Sequence, residues 1–228
     1  MSTPIETIPF WDYTATTGPE HWASICPEFA TAAAYQYQSP IAVDTATCLA
    51  SEAPSSLLLD YQTQTFMVDT FTQSIHLVPT EFSNTLTFQN KIYSLQDIHV
   101  HMPNEHVIDG IMQPLEIHFV HRTSDQEVLV LGLFVKVGEN GPALPTLNWT
   151  QGATVVFNPA DLLGATNHYF NYSGSLTTPP TVGPVNWVLL KDIQIAPAAW
   201  LDAIRESLPC GANNRPTQPL NGRHVHVY

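Results

Sequence analysis

Basic side chains are the scarcest feature of this chain. Lys91, Arg122, Lys136, Lys191, Arg205, Arg215 and Arg223 are all it has, against 20 Asp and Glu, for a formal net charge of −13. They are scattered, whereas a nucleic-acid or anionic-membrane surface needs them clustered, so neither partner is expected. Long hydrophobic runs are also missing. The longest, VLVLGLFVKV from Val128, falls well short of the roughly 20 residues needed to span a bilayer. Cysteine is limited to Cys26, Cys48 and Cys210, an odd number with no C-x-x-C spacing. That pattern argues against a disulfide framework or a cysteine zinc site and favours isolated thiols. The N-terminus, MSTPIETIPFWDY, has no basic start followed by an apolar stretch and does not read as an intact secretory signal. No low-complexity tract, fixed repeat or long polar linker interrupts the 228 residues, so one domain over residues 1–228 is expected.

What the chain does have is punctuation. Nineteen prolines and 11 glycines separate short segments rich in β-branched and aromatic residues: TFMVDTF from Thr65, SIHLVP from Ser74, TLTFQ from Thr85, DIHVH from Asp97, LEIHFVH from Leu115, EVLVLGLFVKV from Glu127 and VNWVLL from Val185. This is the pattern of many strands joined by turns. One helix is expected near 197–208, where PAAWLDAIRESL places Trp200, Leu201, Ile204 and Leu208 at helical spacing behind a proline. TNHYFNY from Thr166 is too short and too aromatic to assign.

Three of the ten histidines fall in DIHVHMPNEH, from Asp97. On a strand, Asp97, His99 and His101 share one face while Ile98, Val100 and Met102 share the other, apolar one. The two imidazoles then stand about 6.5–7 Å apart at Cα, close enough to converge on one ion. Catalytic zinc takes three protein ligands and keeps a position open. His118 in LEIHFVH supplies the third if its strand lies antiparallel to the first. Asp97 and Glu116 are then the carboxylates to accept the second N–H of ligating imidazoles. Three imidazoles also accept other divalent metals. His224 and His226 repeat the H-x-H spacing but lack a third ligand or a nearby acid, and read as the polar face of a terminal strand.

In sequence the chain resembles the α-carbonic anhydrase family over nearly its whole length. The resemblance is carried in order by WDYTATTGPEHW from Trp11, QSPIAV from Gln38, DIHVHMPNEH, LEIHFVH, VLGLFVKVG from Val130, YSGSLTTPP from Tyr172 and NRPTQPLNGR from Asn214. It implies a mainly β fold with short surface helices, in one domain built on a large twisted, mostly antiparallel central sheet. It implies Zn(2+) on His99, His101 and His118, and reversible hydration of carbon dioxide to bicarbonate and a proton, with weak ester hydrolysis as a side activity. The nucleophile, zinc-bound hydroxide, is oriented by Thr177, which donates in turn to Glu105. Val120, Val130, Leu176 and Trp187 form the apolar substrate wall, Thr178 borders the bicarbonate position, and Tyr13 lines the rim. Tyr172 is expected to hydrogen-bond near Thr177, and His106 and His121 to be buried hydrogen-bond partners. Small anions and sulfonamide-type inhibitors are the expected ligands, and a homodimer is compatible with the resemblance.

Three departures from the family pattern stand out. Asp97 replaces a common Gln; a carboxylate on His99 would push electron density toward zinc and make its water less acidic. Gln73 occupies the position of a proton-shuttling histidine and cannot titrate near neutral pH. Either His76 takes over or proton export depends on buffer, and the second is preferred. Ala32 and Thr181 stand where many secreted members carry a disulfide. Their identity favours a cytoplasmic protein, with a secreted or periplasmic location if a leader was removed ahead of residue 1.

Overall fold

The fold is described from a computed structural model over residues 9–51, 57–141 and 144–228. Residues 1–8, most of the stretch read above for a secretory signal, lie outside them. The β-branched segments form strands β1 (Ala42–Val43), β2 (Leu49–Ala50), β3 (Leu58–Asp60), β4 (Gln64–Phe71) and β5 (Ser74–Pro79). There follow β6 (Thr85–Phe88), β7 (Lys91–His101), β8 (Val107–Ile108), β9 (Leu115–Arg122) and β10 (Val128–Val137). The last five are β11 (Thr154–Phe157), β12 (Tyr169–Gly174), β13 (Val185–Leu190), β14 (Gln194–Ala196) and β15 (His226–Val227). The seven segments from TFMVDTF to VNWVLL each form a strand, the terminal strand is shorter than expected and leaves out His224, and the unassigned TNHYFNY contributes the start of β12.

One large sheet runs in the order β11-β4-β5-β7-β9-β10-β13-β12-β15-β2, with β14 beside β10 and the β3–β6 pair beside β7. It is mixed: β10 runs parallel to β13 and β14, and β15 parallel to β2, while the other neighbours are antiparallel. β1 and β8 form a separate parallel pair. Helices α1 (Trp22–Ile25), α2 (Pro27–Ala33) and α3 (Ala198–Ser207) lie outside the sheet. α3 is the expected helix, with Pro197 at its N-cap rather than in its first turn. The N-terminal helices were not foreseen. α2 opens on Pro27, the same start signal, but its seven residues bury only Phe29 and Ala32, too little for a periodic pattern.

Apolar side chains pack on both faces of the sheet. Ile98, Val100, Ile117, Phe119, Leu129, Leu131 and Leu133 belong to the larger cluster, and Val130, Phe134, Phe170, Tyr172, Trp187 and Leu189 to the opposite one. Such residues are near fully buried, and truncating one like Phe119 to Ala would cost about 3–5 kcal/mol. A bulge in β7 decides which residues face which cluster. Leu95 pairs with His121 but Asp97 pairs with Val120, so Gln96 is extra. Leu95 thereby stays in the larger core while Asp97, His99 and His101 turn to the other face. Among the described residues no helix is long and apolar enough to cross a membrane.

Candidate active site

Strand register assembles the site from transverse rows. His76 on β5 pairs with His99 on β7, His99 with His118 on β9, His118 with Gly132 on β10, and Gly132 with Leu189 on β13. The adjoining row runs Asp97, Val120, Val130, Trp187, Tyr172. The imidazoles of His76, His99 and His118 thus stand beside an apolar strip two residues away along the same strands.

The rings of His99, His101 and His118 form a near-equilateral triangle, with centroids 5.2, 5.2 and 4.7 Å apart. One nitrogen of each lies within 4.8 Å of the others. The remaining nitrogen of each is tied back: His99 Nδ1 donates to Asp97 Oδ2 at 2.7 Å, His101 Nδ1 to the Asn213 carbonyl at 2.7 Å, and His118 Nε2 to Glu116 Oε1 at 2.7 Å. These bonds fix the tautomers and leave Nε2 of His99, Nε2 of His101 and Nδ1 of His118 to face one another. His101 Nε2 is buried and has no hydrogen-bond partner, an orphan that a cation would satisfy. Burial lowers His101 to about 3 and His118 to about 4, so both rings are neutral at physiological pH, as metal ligation requires.

Glu116 anchors this arrangement. Its Oε1 also accepts from His106 Nδ1 at 2.7 Å, and its Oε2 accepts the main-chain N–H groups of Glu105 and His106, both at 2.8 Å. Burial pushes the carboxyl up, but the two imidazoles beside it hold it well below the ordinary range. There is no Cβ at Gly132 because there is no room for one. It would sit 2.9 Å from Leu189 Cδ2, 3.4 Å from Glu116 Oε1 and 3.7 Å from His118 Cδ2.

Glu105 and Thr177 are both buried. The expected bond between them is not made: Glu105 Oε1 accepts the Arg215 N–H at 2.9 Å, while Oε2 has no hydrogen-bond partner and lies 3.4 Å from His101 Nε2. The turn carrying Thr177 and the half-buried Thr178 is pinned by Trp187 Nε1 to the Ser175 carbonyl at 3.0 Å and Leu176 N to the Val182 carbonyl at 2.9 Å. Val130 and Trp187 are buried and Val120 and Leu176 half-buried, all in one cluster, with the Trp187 ring 4.9 Å from that of His118.

The rim residues Gln73 and His76 are tethered by hydrogen bonds. Gln73 sits in the two-residue β4–β5 turn, where Thr72 and Gln73 have φ of 47° and 59°, and its amide donates to the Trp11 carbonyl. His76 is buried and stacked on Phe71 at 3.5 Å. Its Nδ1 donates to Asp97 Oδ1 at 2.8 Å and its Nε2 lies 2.9 Å from Thr72 Oγ1. Tyr13 is half-buried against Trp11 and Trp22 with an unpartnered hydroxyl, and burial, together with the Glu105 charge, raises its phenol well above the usual value.

Other residues differ from expectation or were overlooked. Tyr172 hydrogen-bonds Ser39 and His106 (2.8 and 2.6 Å) rather than the Thr177 region. Asn213 and Arg215 were overlooked, since nothing local in the run NNR from Asn213 signals a main-chain carbonyl aimed at His101. Asn213 is held by its own side chain, which accepts from Met102 N and donates to the carbonyls of Val100 and Gln73. His121 is buried with Nε2 on the Tyr61 hydroxyl. His224 and His226 are exposed and belong to no three-residue cluster of potential metal ligands among the described residues. The three cysteines are unpaired, and the carbonyls of Ala32 and Thr181 both accept from Gln38 Nε2, at 3.5 and 3.2 Å.

Three tethered imidazoles whose free nitrogens face one another form a group that could hold a metal ion, beside an apolar wall on a large sheet. The comparisons agree. The chain belongs to the eukaryotic-type carbonic anhydrase family, whose sequence model matches residues 17–228. A carbonic anhydrase of Pectobacterium carotovorum is 34% identical over 224 residues, covering 94% of this chain and 89% of its own. Among solved structures, the α-carbonic anhydrase of Thermovibrio ammonificans, in complex with the inhibitor sulfanilamide, superposes with a TM-score of 0.86 at 30% identity, over 96% of this chain and all of that one. The Photobacterium profundum enzyme gives 0.80 at 34% identity, over 95% of this chain and all of its own.

Proposed function

We propose that the chain hydrates carbon dioxide reversibly to bicarbonate and a proton, at a zinc ion held by Nε2 of His99, Nε2 of His101 and Nδ1 of His118. The observation that supports it most is the tautomer pattern, since the second nitrogen of each ring is committed elsewhere and the three free nitrogens converge. Bound there, zinc supplies Lewis acidity, making water ionisable near neutral pH, as is established for carbonic anhydrases.

The protein's own groups do the rest. Glu105 Oε2, buried and unpartnered, is the acceptor left for the Thr177 hydroxyl, so the Thr177 oxygen in turn accepts from the attacking water and aims its lone pair. Carbon dioxide has no net dipole. Val120, Val130, Leu176 and Trp187 offer it a dry wall without competing donors, and Thr178 borders the product. Gln73 cannot carry the proton away and His76 is fixed by both ring nitrogens, so the proton leaves to buffer at the rim.

Sulfonamides, like the sulfanilamide of the Thermovibrio relative, and small anions would bind at the same metal, and weak ester hydrolysis would use the same nucleophile. Three unpaired thiols suit a reducing compartment such as the cytoplasm. Stopped-flow hydration assays with metal analysis test the reading. The native protein should carry one zinc per chain and hydrate carbon dioxide, and His118→Ala should lose both. Native protein that holds zinc yet hydrates no faster than buffer would sink it.

A further inference from the structure

The three ligand anchors are not equally supported. His101 leans on a main-chain carbonyl, that of Asn213. His118 leans on Glu116, whose far oxygen is clamped by two main-chain N–H groups. His99 leans on Asp97, a half-buried side chain to which no main-chain N–H donates among the described hydrogen bonds. Held by one contact alone, a carboxylate on a rotatable side chain would be poorly oriented. Its far oxygen, Oδ1, has one donor, His76 Nδ1, at 2.8 Å.

His76 is itself built in. It stands directly opposite His99 across β5 and β7, with the two rings 4.9 Å apart. Phe71 covers one face of its ring at 3.5 Å, and Nε2 is bracketed by Thr72 Oγ1 at 2.9 Å and the Phe71 carbonyl at 3.0 Å. A ring tethered at both nitrogens cannot swing to ferry protons. It can hold a carboxylate still.

We propose that His76 is a positioning residue for the metal centre: through Asp97 it keeps the His99 proton on Nδ1 and so keeps Nε2 aimed at the ion. His76 thus does for Asp97 what two peptide N–H groups do for Glu116. Both oxygens of Asp97 being shared, the carboxylate also donates less to His99 than it would alone, which offsets part of the effect expected from its replacing a neutral Gln. The inference rests on the zinc site proposed above.

Zinc release into excess chelator, followed on the zinc-loaded protein, tests it without reference to turnover. His76→Phe keeps a flat ring against Phe71 and removes the donor; it should release zinc roughly tenfold faster than the native protein. His76→Gln, which restores an N–H, should recover much of the native rate, and on an Asp97→Ala background His76→Phe should add nothing. If the Phe variant does not fold, His76→Leu gives the same contrast with Gln. Release at the native rate from zinc-bearing His76→Phe, or an equal acceleration with and without Asp97, overturns the inference alone. Native protein that takes up no zinc overturns the metal reading and the inference with it.

Discussion

Replacing Glu116 by Gln isolates the tautomer argument on which the site stands. The carboxylate accepts four N–H groups: His118 Nε2, His106 Nδ1 and the main-chain N–H of Glu105 and of His106. A Gln amide offers one oxygen and one NH2. If its oxygen takes the two peptide donors, its NH2 confronts two imidazole N–H groups; if it flips, the peptide donors are stranded. Without metal the protein can escape, since both imidazoles can move their proton to the other nitrogen and accept from the amide. With metal His118 cannot, because its Nδ1 lone pair is needed for ligation. Zinc binding must therefore force an unmet pair of buried donors, at about 1–3 kcal/mol, which is about fivefold to 150-fold in affinity. Chelator competition should show weaker zinc binding of that order in Glu116→Gln, while the melting temperature of the metal-free protein falls by no more than about 4 °C, at about 2 °C per kcal/mol for this length. Native zinc affinity in the variant would refute the tautomer argument, and a collapse of the metal-free protein would show Glu116 to be a folding residue first.

Gly132→Ala forces its Cβ against Leu189 and toward Glu116 and should cost about 1–3 kcal/mol, read as a lower melting temperature with weakened zinc binding. Metal-free protein should lose stability in acid. Burial takes His121 from 6.5 to about 3, so the unfolded chain gains a proton at 6.5 that the folded chain refuses until about 3. The stabilisation is complete above 6.5 and lost as pH falls toward 3, at about 2 kcal/mol between pH 7 and 5 for this ring. His121→Phe should flatten that part of the melting-temperature profile, and an unchanged slope would count against the assignment. Hydration at saturating carbon dioxide should rise with imidazole concentration, and Gln73→His should raise the rate in weak buffer. A buffer-independent maximum that disappears in His76→Ala would contradict both the rim argument and the immobile His76.

The histidine cluster was legible because strand parity alone sorts Asp97, His99 and His101 from Ile98, Val100 and Met102, and the short run to LEIHFVH brings His118 alongside. The apolar wall was half legible: Val120 follows from its place two residues after His118, whereas Val130, Leu176 and Trp187 look like any core residues until the register is known. The bulge at Gln96 left no local signal, since it trades one residue of register for the burial of Leu95. The short helices α1 and α2 were missed for a related reason. Too few of their residues are buried to write a period.

Residues that act through the main chain are the hardest to read. Asn213 contributes a carbonyl to His101, and any residue has a carbonyl; what makes it special is a side chain that locks that loop to Met102, Val100 and Gln73. The unmade Thr177–Glu105 bond belongs to the same problem. Glu105 Oε2 and His101 Nε2 are buried, unpartnered and 3.4 Å apart, an acceptor and a lone pair with no proton between them. Two buried acceptors left facing each other are costly in the absence of a ligand. A cation on the imidazole and a hydroxyl proton on the carboxylate relieve both at once, so binding energy is drawn from the groups that folding left unsatisfied.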